Sequence, residues 1–335
     1  MNQMSRRAFL LTSSGFIALS GRPLAGQDRP AVGPVQAWIA EHAVPVGSIN
    51  SSDEDDRDLD PLIVAIGSAR VVQLGEPSHG AGSSFAAKAR LVRFLHRRMG
   101  FDVLAWESGL YDLRSTQAGL RGGVNALVAA QSGILGIWSR AEQCRPLFQY
   151  AQASQGSSHP LEMAGFDMQF TAEGSADRFA TELRSFVGAI RNPAVRSAAI
   201  GLADRALAGF GRINAFVEAR RRHSLEISQA GLSGAERQQA TVDWETREGA
   251  RLRPVIADRE LVEQASDELL ALMTDRRALF EQAHGARETG FMIRTVANLR
   301  GYAANLHALH GSDRPPNSPS SEVERENRRD ALNAA

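Results

Sequence analysis

Three short apolar runs, each closing on an acidic residue among small ones, constrain the first half of this chain more than any other feature. Ala69 to Gln73 leads into Leu74-Gly75-Glu76-Pro77-Ser78-His79-Gly80, Phe101 to Gly109 passes through Trp106-Glu107-Ser108, and Leu161 to Asp167 ends in Gly165-Phe166-Asp167. Apolar runs of this length that stop abruptly in polar residues read as buried strands emptying into loops, and such loops carry function. If the three strands are parallel neighbours, Glu76, His79, Glu107 and Asp167 collect at their carboxyl ends, where open α/β sheets form a ligand crevice.

From Ser175 to His310 there is hardly any strand signal. Long segments of 3.6-residue period are interrupted near Asn192-Pro193, around Gly231 to Gly234, at Pro254 and near Gly285, with Glu248 to Leu272 and Glu288 to His310 the longest. The expected fold is therefore α/β: a parallel-sheet core with a large helical layer or hairpin in the C-terminal half, added from about residue 175. Residues 110 to 152 read as helical pieces, and Val35 to His42 as a short helix stopped by Pro45. The acidic run Asp53 to Asp60 reads as a solvated loop, with Asp58 or Asp60 capping a helix through Ile66.

One helix stands out between the first two runs. Phe85, Ala89, Val92, Leu95 and Met99 mark its buried stripe, and Lys88 lies one turn from Phe85 and Val92. Among 38 basic residues Lys88 is the one lysine. A compact ammonium and a planar guanidinium are not interchangeable, so this lysine is expected to point inward, towards the Glu76 and His79 loop.

The formal net charge is zero, which offers no footprint for nucleic acid or an anionic membrane surface. A single cysteine, Cys144, excludes an intrachain disulfide and a thiolate metal cluster within one chain; inside an apparent helix it reads as buried and inert. Met1 to Gln27 reads as a signal segment, with Arg6-Arg7 before an apolar core and Pro23-Leu24-Ala25 at the exit, of the twin-arginine type. Residues 1 to 25 are thus expected to be removed, leaving a periplasmic or secreted protein without an integral membrane anchor.

A histidine beside carboxylates and one ammonium, with no serine on a Gly-x-Ser-x-Gly elbow, suits general-base activation of water. His79 would take the proton, Glu76 or Glu107 would orient or charge-stabilise the imidazole, and Lys88 would meet negative charge developing on an acyl oxygen. Ser78, Trp106, Asp167 and Ser83 are candidate substrate-binding or supporting residues. The same donors, Glu76, His79, Glu107 and Asp167, would also suit a divalent metal. His307 and His310, three apart on one helix, lack the partner a metal site needs.

Leu74-Gly-Glu-Pro-Ser-His-Gly80, Lys88, Gly100-Phe-Asp-Val-Leu-Ala-Trp-Glu107, the Trp138 to Glu142 step and Gly165-Phe-Asp-Met-Gln169 together resemble the erythromycin esterase family, in order from about Val35 to Phe170. The resemblance implies an α/β core with helical additions and hydrolysis of a small-molecule ester or lactone, in some members a macrolide and hence antibiotic resistance, without a required metal or cofactor. It matches His79 to the general base, Glu76 and Glu107 to the active-site carboxylates, and Lys88 to the basic position on the following helix. Ser83 stands where the family often has Glu. The stretch Asn327-Arg-Arg-Asp330-Ala-Leu-Asn333 resembles the start of a family helix that leads to another core strand and a second histidine, so this sequence is expected to stop before both. An open sheet edge would follow, and with it self-association. Related folds resemble haem-binding lipoproteins, which keeps an exported ligand- or haem-binding protein beside the hydrolase reading.

Overall fold

The computed structural model describes residues 33–76 and 78–310, with the last three as backbone alone. The expected signal segment, the Pro- and Ser-rich tail and the family-like helix start at Asn327 lie outside the described residues. Contacts divide the chain into two units between Pro45 and Val46. The described part of the first unit is α1 (Pro34–His42), with Pro34 in its first turn and Trp38 stacked on His42 at 4.6 Å.

The second unit opens with α2 (Pro61–Ile66) and α3 (Gly82–Met99), followed by strand β1 (Val103–Gly109). Four helices, α4 (Leu113–Arg121), α5 (Ala126–Gln131), α6 (Gly136–Ser139) and α7 (Arg145–Ser154), then lead to β2 (Glu162–Asp167). The strands are parallel, pairing Val103 with Glu162 and Trp106 with Gly165, and an irregularity in the ladder brings Gly109 opposite Asp167. Parallel pairing requires a long crossover, which these helices supply. Glycines allow the strands their close approach: a Cβ on Gly165 would lie 2.5 Å from the carbonyl oxygens of Ser108 and Gly109.

Among the described residues these two strands are the whole sheet, so the expected parallel-sheet core is corrected to a small two-stranded ribbon in a helix-dominated α/β fold. The first apolar run does not join it. Residues 72 to 76 run without regular structure, and Val71 is 75% exposed. Leu74, Gly75 and Glu76 instead face Leu104 to Glu107 across a cavity that both segments line.

The buried face of α3 is wider than its apolar stripe, because Arg90, Arg93 and His96 are buried with Phe85, Ala89, Val92 and Leu95. The two arginines meet the acidic run and His96 meets Tyr150 and His159; the run is solvated at Glu54 and Asp55, as expected, and drawn in at Asp56 and Asp58. Arg90 donates to both oxygens of Asp58 and to the carbonyl of Ser48, Arg93 to Glu54 and the carbonyl of Ser51, and Arg98 to Asp56. Neither Asp58 nor Asp60 caps α2 through its side chain. Charges this deeply packed are kept only when paired and hydrogen-bonded.

The helical half begins with α8 (Ser175–Gly188) and α9 (Pro193–Gln229), joined through Asn192, whose Oδ1 accepts the Val195 N–H at 3.0 Å. After α10 (Gly234–Trp244) a π-helical turn, Glu245–Gly249, and α11 (Ala250–Leu252) bring the chain to Pro254. Next come α12 (Ile256–Asp275), α13 (Arg277–His284) and α14 (Ala286–His310). The longest helix is α9, not the expected Glu248 to Leu272 segment, which Pro254 divides by removing a backbone donor and crowding the preceding turn.

Helices α8, α9, α12 and α14 enclose one core around Phe179, Leu183, Ile213, Leu269 and Val296, while α3 to α7 and the strands enclose another around Ala89, Leu113, Phe148 and Leu161. The chain after β2 enters the first of these through Met168 and Phe170. Asp112, buried immediately before α4, accepts the backbone N–H groups of Thr171 at 2.6 Å and Ala172 at 3.0 Å and so fixes that loop.

Candidate functional site

Between the Leu74 to His79 segment, α3 and β1 lies a cavity of ≈ 570 Å³. Its apolar wall includes Phe85, Leu104, Trp106, Trp138, Leu147 and Phe166, and its polar groups are Glu76, Ser78, His79, Lys88, Glu107 and Cys144. A mostly apolar hollow with a few convergent polar groups is the usual form of a small-molecule site.

Glu76 is the hub. Its Oε1 lies 2.8 Å from His79 Nδ1, while Oε2 accepts from Lys88 Nζ at 2.8 Å and from Trp138 Nε1 at 3.0 Å. The Glu76 side chain is 12% exposed and that of Lys88 23%, whereas His79, at 64%, keeps its ring in contact with solvent. Burial opposes ionisation of Glu76, but the hydrogen bonds from Lys88, His79 and Trp138, with the lysine's charge, outweigh it and hold the carboxyl below its usual range.

Each side chain arrives on a separate piece of structure. Glu76 and His79 come from the loop before α3, Lys88 from the second turn of that helix, Trp106 and Glu107 from β1, and Trp138 from α6. The entry to α6 is fixed by Ser108, fully buried beside Glu107, whose Oγ accepts the Leu135 N–H at 3.0 Å. Trp106 donates to Met163 Sδ at 3.2 Å and its ring packs against Trp138 and Phe148.

Of the eight residues singled out in the sequence, six line this cavity: Glu76, Ser78, His79, Lys88, Trp106 and Glu107. Two lie outside its lining. Asp167 is fully buried, with its carboxylate accepting from the backbone and side-chain amide of Gln169, so it closes the turn after β2. Ser83 is exposed on the first turn of α3. Asp167 therefore does not join Glu76, His79 and Glu107 at the cavity, and among the described residues no group of three or more His, Cys, Asp or Glu is placed to hold a metal ion.

Trp138 and Cys144 escaped selection as site residues. The signal for Trp138 was its place in the Trp138 to Glu142 step, but nothing local shows that its N–H meets a carboxylate 62 residues earlier. Cys144 sits in a 3₁₀ turn before α7, and its thiol is pushed up to about 11, first by burial and then by the Glu76 charge. A thiol held protonated in this way is a poor nucleophile.

No family model matches the chain. Over 132 residues, 39% of this chain and 28% of the relative, it is 35% identical to the putative hydrolase YbfO of Bacillus subtilis. Over 74 residues, 22% of this chain and 17% of the relative, it is 35% identical to erythromycin esterase type II of Escherichia coli. Both relatives are named as hydrolases. The chain spans less than a third of either. Among solved structures, a Bacillus cereus protein matches 89% of this chain and 60% of its own with a TM-score of 0.57, and a succinoglycan biosynthesis protein matches 92% and 62% with 0.55. At 17% identity these two speak for the fold alone. Among the described residues no helix is long and apolar enough to cross a membrane.

Proposed function

We propose that this cavity is the active site of a hydrolase that cleaves a carboxylic ester or lactone with water activated on His79. The observation that carries the reading is the Glu76 carboxylate, held by Lys88 and Trp138 on one oxygen and presenting the other to His79 Nδ1. A carboxylate at that nitrogen keeps the proton on Nδ1 and leaves the Nε2 lone pair able to accept one. The partial similarity to two proteins named as hydrolases supports the same reading.

In the proposed reaction Nε2 removes a proton from water as the oxygen adds to the acyl carbon. The charge that gathers on the former carbonyl oxygen is met by Lys88, whose ammonium has three N–H bonds and spends one on Glu76. The carbon–oxygen bond to the alcohol then breaks, and the imidazolium returns its proton to the departing alkoxide. Glu107 supplies a second carboxylate for a substrate hydroxyl or for the attacking water. Phe85, Trp106, Trp138 and Phe166 hold an apolar body, for which a macrolide lactone is the first candidate.

Mass spectrometry of a macrolide and a panel of small esters incubated with the protein tests this directly. Addition of one water that falls about a hundred- to ten-thousand-fold in His79→Ala, and comparably in Glu76→Gln, is the expected outcome. Undiminished hydrolysis in a folded His79→Ala protein would remove His79 from the reaction.

A further inference from the structure

The geometry points to Trp138 as a positioning residue for His79: its indole N–H, acting through Glu76, fixes which imidazole nitrogen carries the proton. This rests on the reading of His79 as the base. A carboxylate has two equivalent oxygens with about four lone-pair sites, and it rotates freely unless its partners distinguish them. Lysine distinguishes them poorly, being a point charge on a flexible stem. An indole offers one N–H in a rigid plane.

That plane is itself immobilised. Trp138 is 6% exposed, its ring centroid lies 6.0 Å from that of Trp106, and the helix bearing it begins at the Leu135 N–H bonded to buried Ser108. With Lys88 and Trp138 both on Oε2, the remaining oxygen, Oε1, faces His79. The same indole meets the His79 ring edge-on, at 6.0 Å between centroids and 85° between planes. A mostly exposed imidazole is thus held by a carboxylate on one side and an aromatic ring on another, and the indole sets both contacts.

Without the indole N–H the Glu76 carboxylate keeps its lysine but loses the donor that ties Oε2, so Oε1 no longer has a fixed bearing on Nδ1. The Nδ1–H tautomer then competes with the Nε2–H form, in which the lone pair needed for water is absent. The ionisable groups that line the cavity with His79 are Glu76, Lys88, Glu107 and Cys144, and a Trp138 variant changes the charge of none of them.

The test uses full-length protein with ¹⁵N-labelled histidine, read by NMR, in wild type, Trp138→Phe, and a variant with benzothienylalanine at position 138, which keeps the bicyclic shape and lacks the N–H. His79→Ala assigns the resonance. Wild type should show the Nδ1–H tautomer. Both variants should show a mixture of the two tautomers, with hydrolysis reduced in kcat more than in KM. An unchanged tautomer in the folded isostere would overturn the assignment, whatever Trp138→Phe does to folding. These readings need no turnover. A protein with no esterase activity but a tautomer that depends on Trp138 would lose the proposed function and keep the positioning; full activity with an unmoved tautomer would do the reverse.

Discussion

Lys88 reaches from the second turn of α3 to place Nζ 2.8 Å from Glu76 Oε2, joining a helix to the loop that precedes it. Both side chains are largely withdrawn from water, so each charge depends on the other. A pair with this degree of burial costs more when halved than it contributes when whole.

Lys88→Met should therefore lower stability to urea by about 1–2 kcal/mol and bring the Glu76 carboxyl up, because burial persists while its strongest donor is gone. Hydrolysis should fall steeply. Lys88→Arg keeps the charge but replaces a compact ammonium by a planar fork, and should retain partial activity. Urea unfolding beside ester turnover separates the two effects, and a Lys88→Met protein as stable and active as wild type would contradict the pairing.

Asp58 supplies a pH-dependent term. Its hydrogen bonds with Arg90 come first among the causes that hold its carboxyl far below the ordinary carboxylate value. The folded protein thus takes up this proton at lower pH than the unfolded chain does. Its contribution is complete above the unfolded value near ~4 and is lost as pH falls towards the folded one. Thermal unfolding followed on the acid side should show a shallower decline in Asp58→Asn than in wild type. At neutral pH the same variant should melt several degrees lower, since Arg90 is left buried with one partner fewer. Equal acid slopes in the two proteins would assign the decline to other carboxylates.

Two glycines should respond oppositely to alanine. At Gly165 a Cβ would meet two backbone carbonyls of β1 at 2.5 Å, so Gly165→Ala should cost about 2–3 kcal/mol by forcing the strands apart. At Gly201, exposed within α9, the added carbon would meet open space beyond its own helix backbone, and Gly201→Ala should stabilise by about 1 kcal/mol. Chemical denaturation of both variants checks the contrast, which vanishes if β1 and β2 are not packed this closely.

Much of the helical half was legible because its signals are local. Asn192 ahead of Pro193, glycine at 231 and 285 with positive φ, and Pro254 between two helices each act over a turn or two of backbone. The inward bearing of Lys88 followed from its spacing to Phe85 and Val92 on one helix. The first apolar run misled for the complementary reason. Five residues can look like a strand without saying whether another strand lies alongside, and here a cavity intervenes. Asp167 looked like a site carboxylate from its place at a strand end, yet Gln169, two residues on, takes both its oxygens.

Helix limits, the buried stripe of α3 and the polar loop carrying Glu76 and His79 are written in the order of the residues, since propensity, caps and periodicity act between near neighbours. Tertiary structure alone decided that Arg90 would neutralise Asp58 across 32 residues, that Trp138 would reach Glu76 across 62, and that the first run would line a cavity and not a sheet. Contacts of that span are selected by how whole elements pack, because a buried polar atom takes whichever partner the closed chain brings within reach.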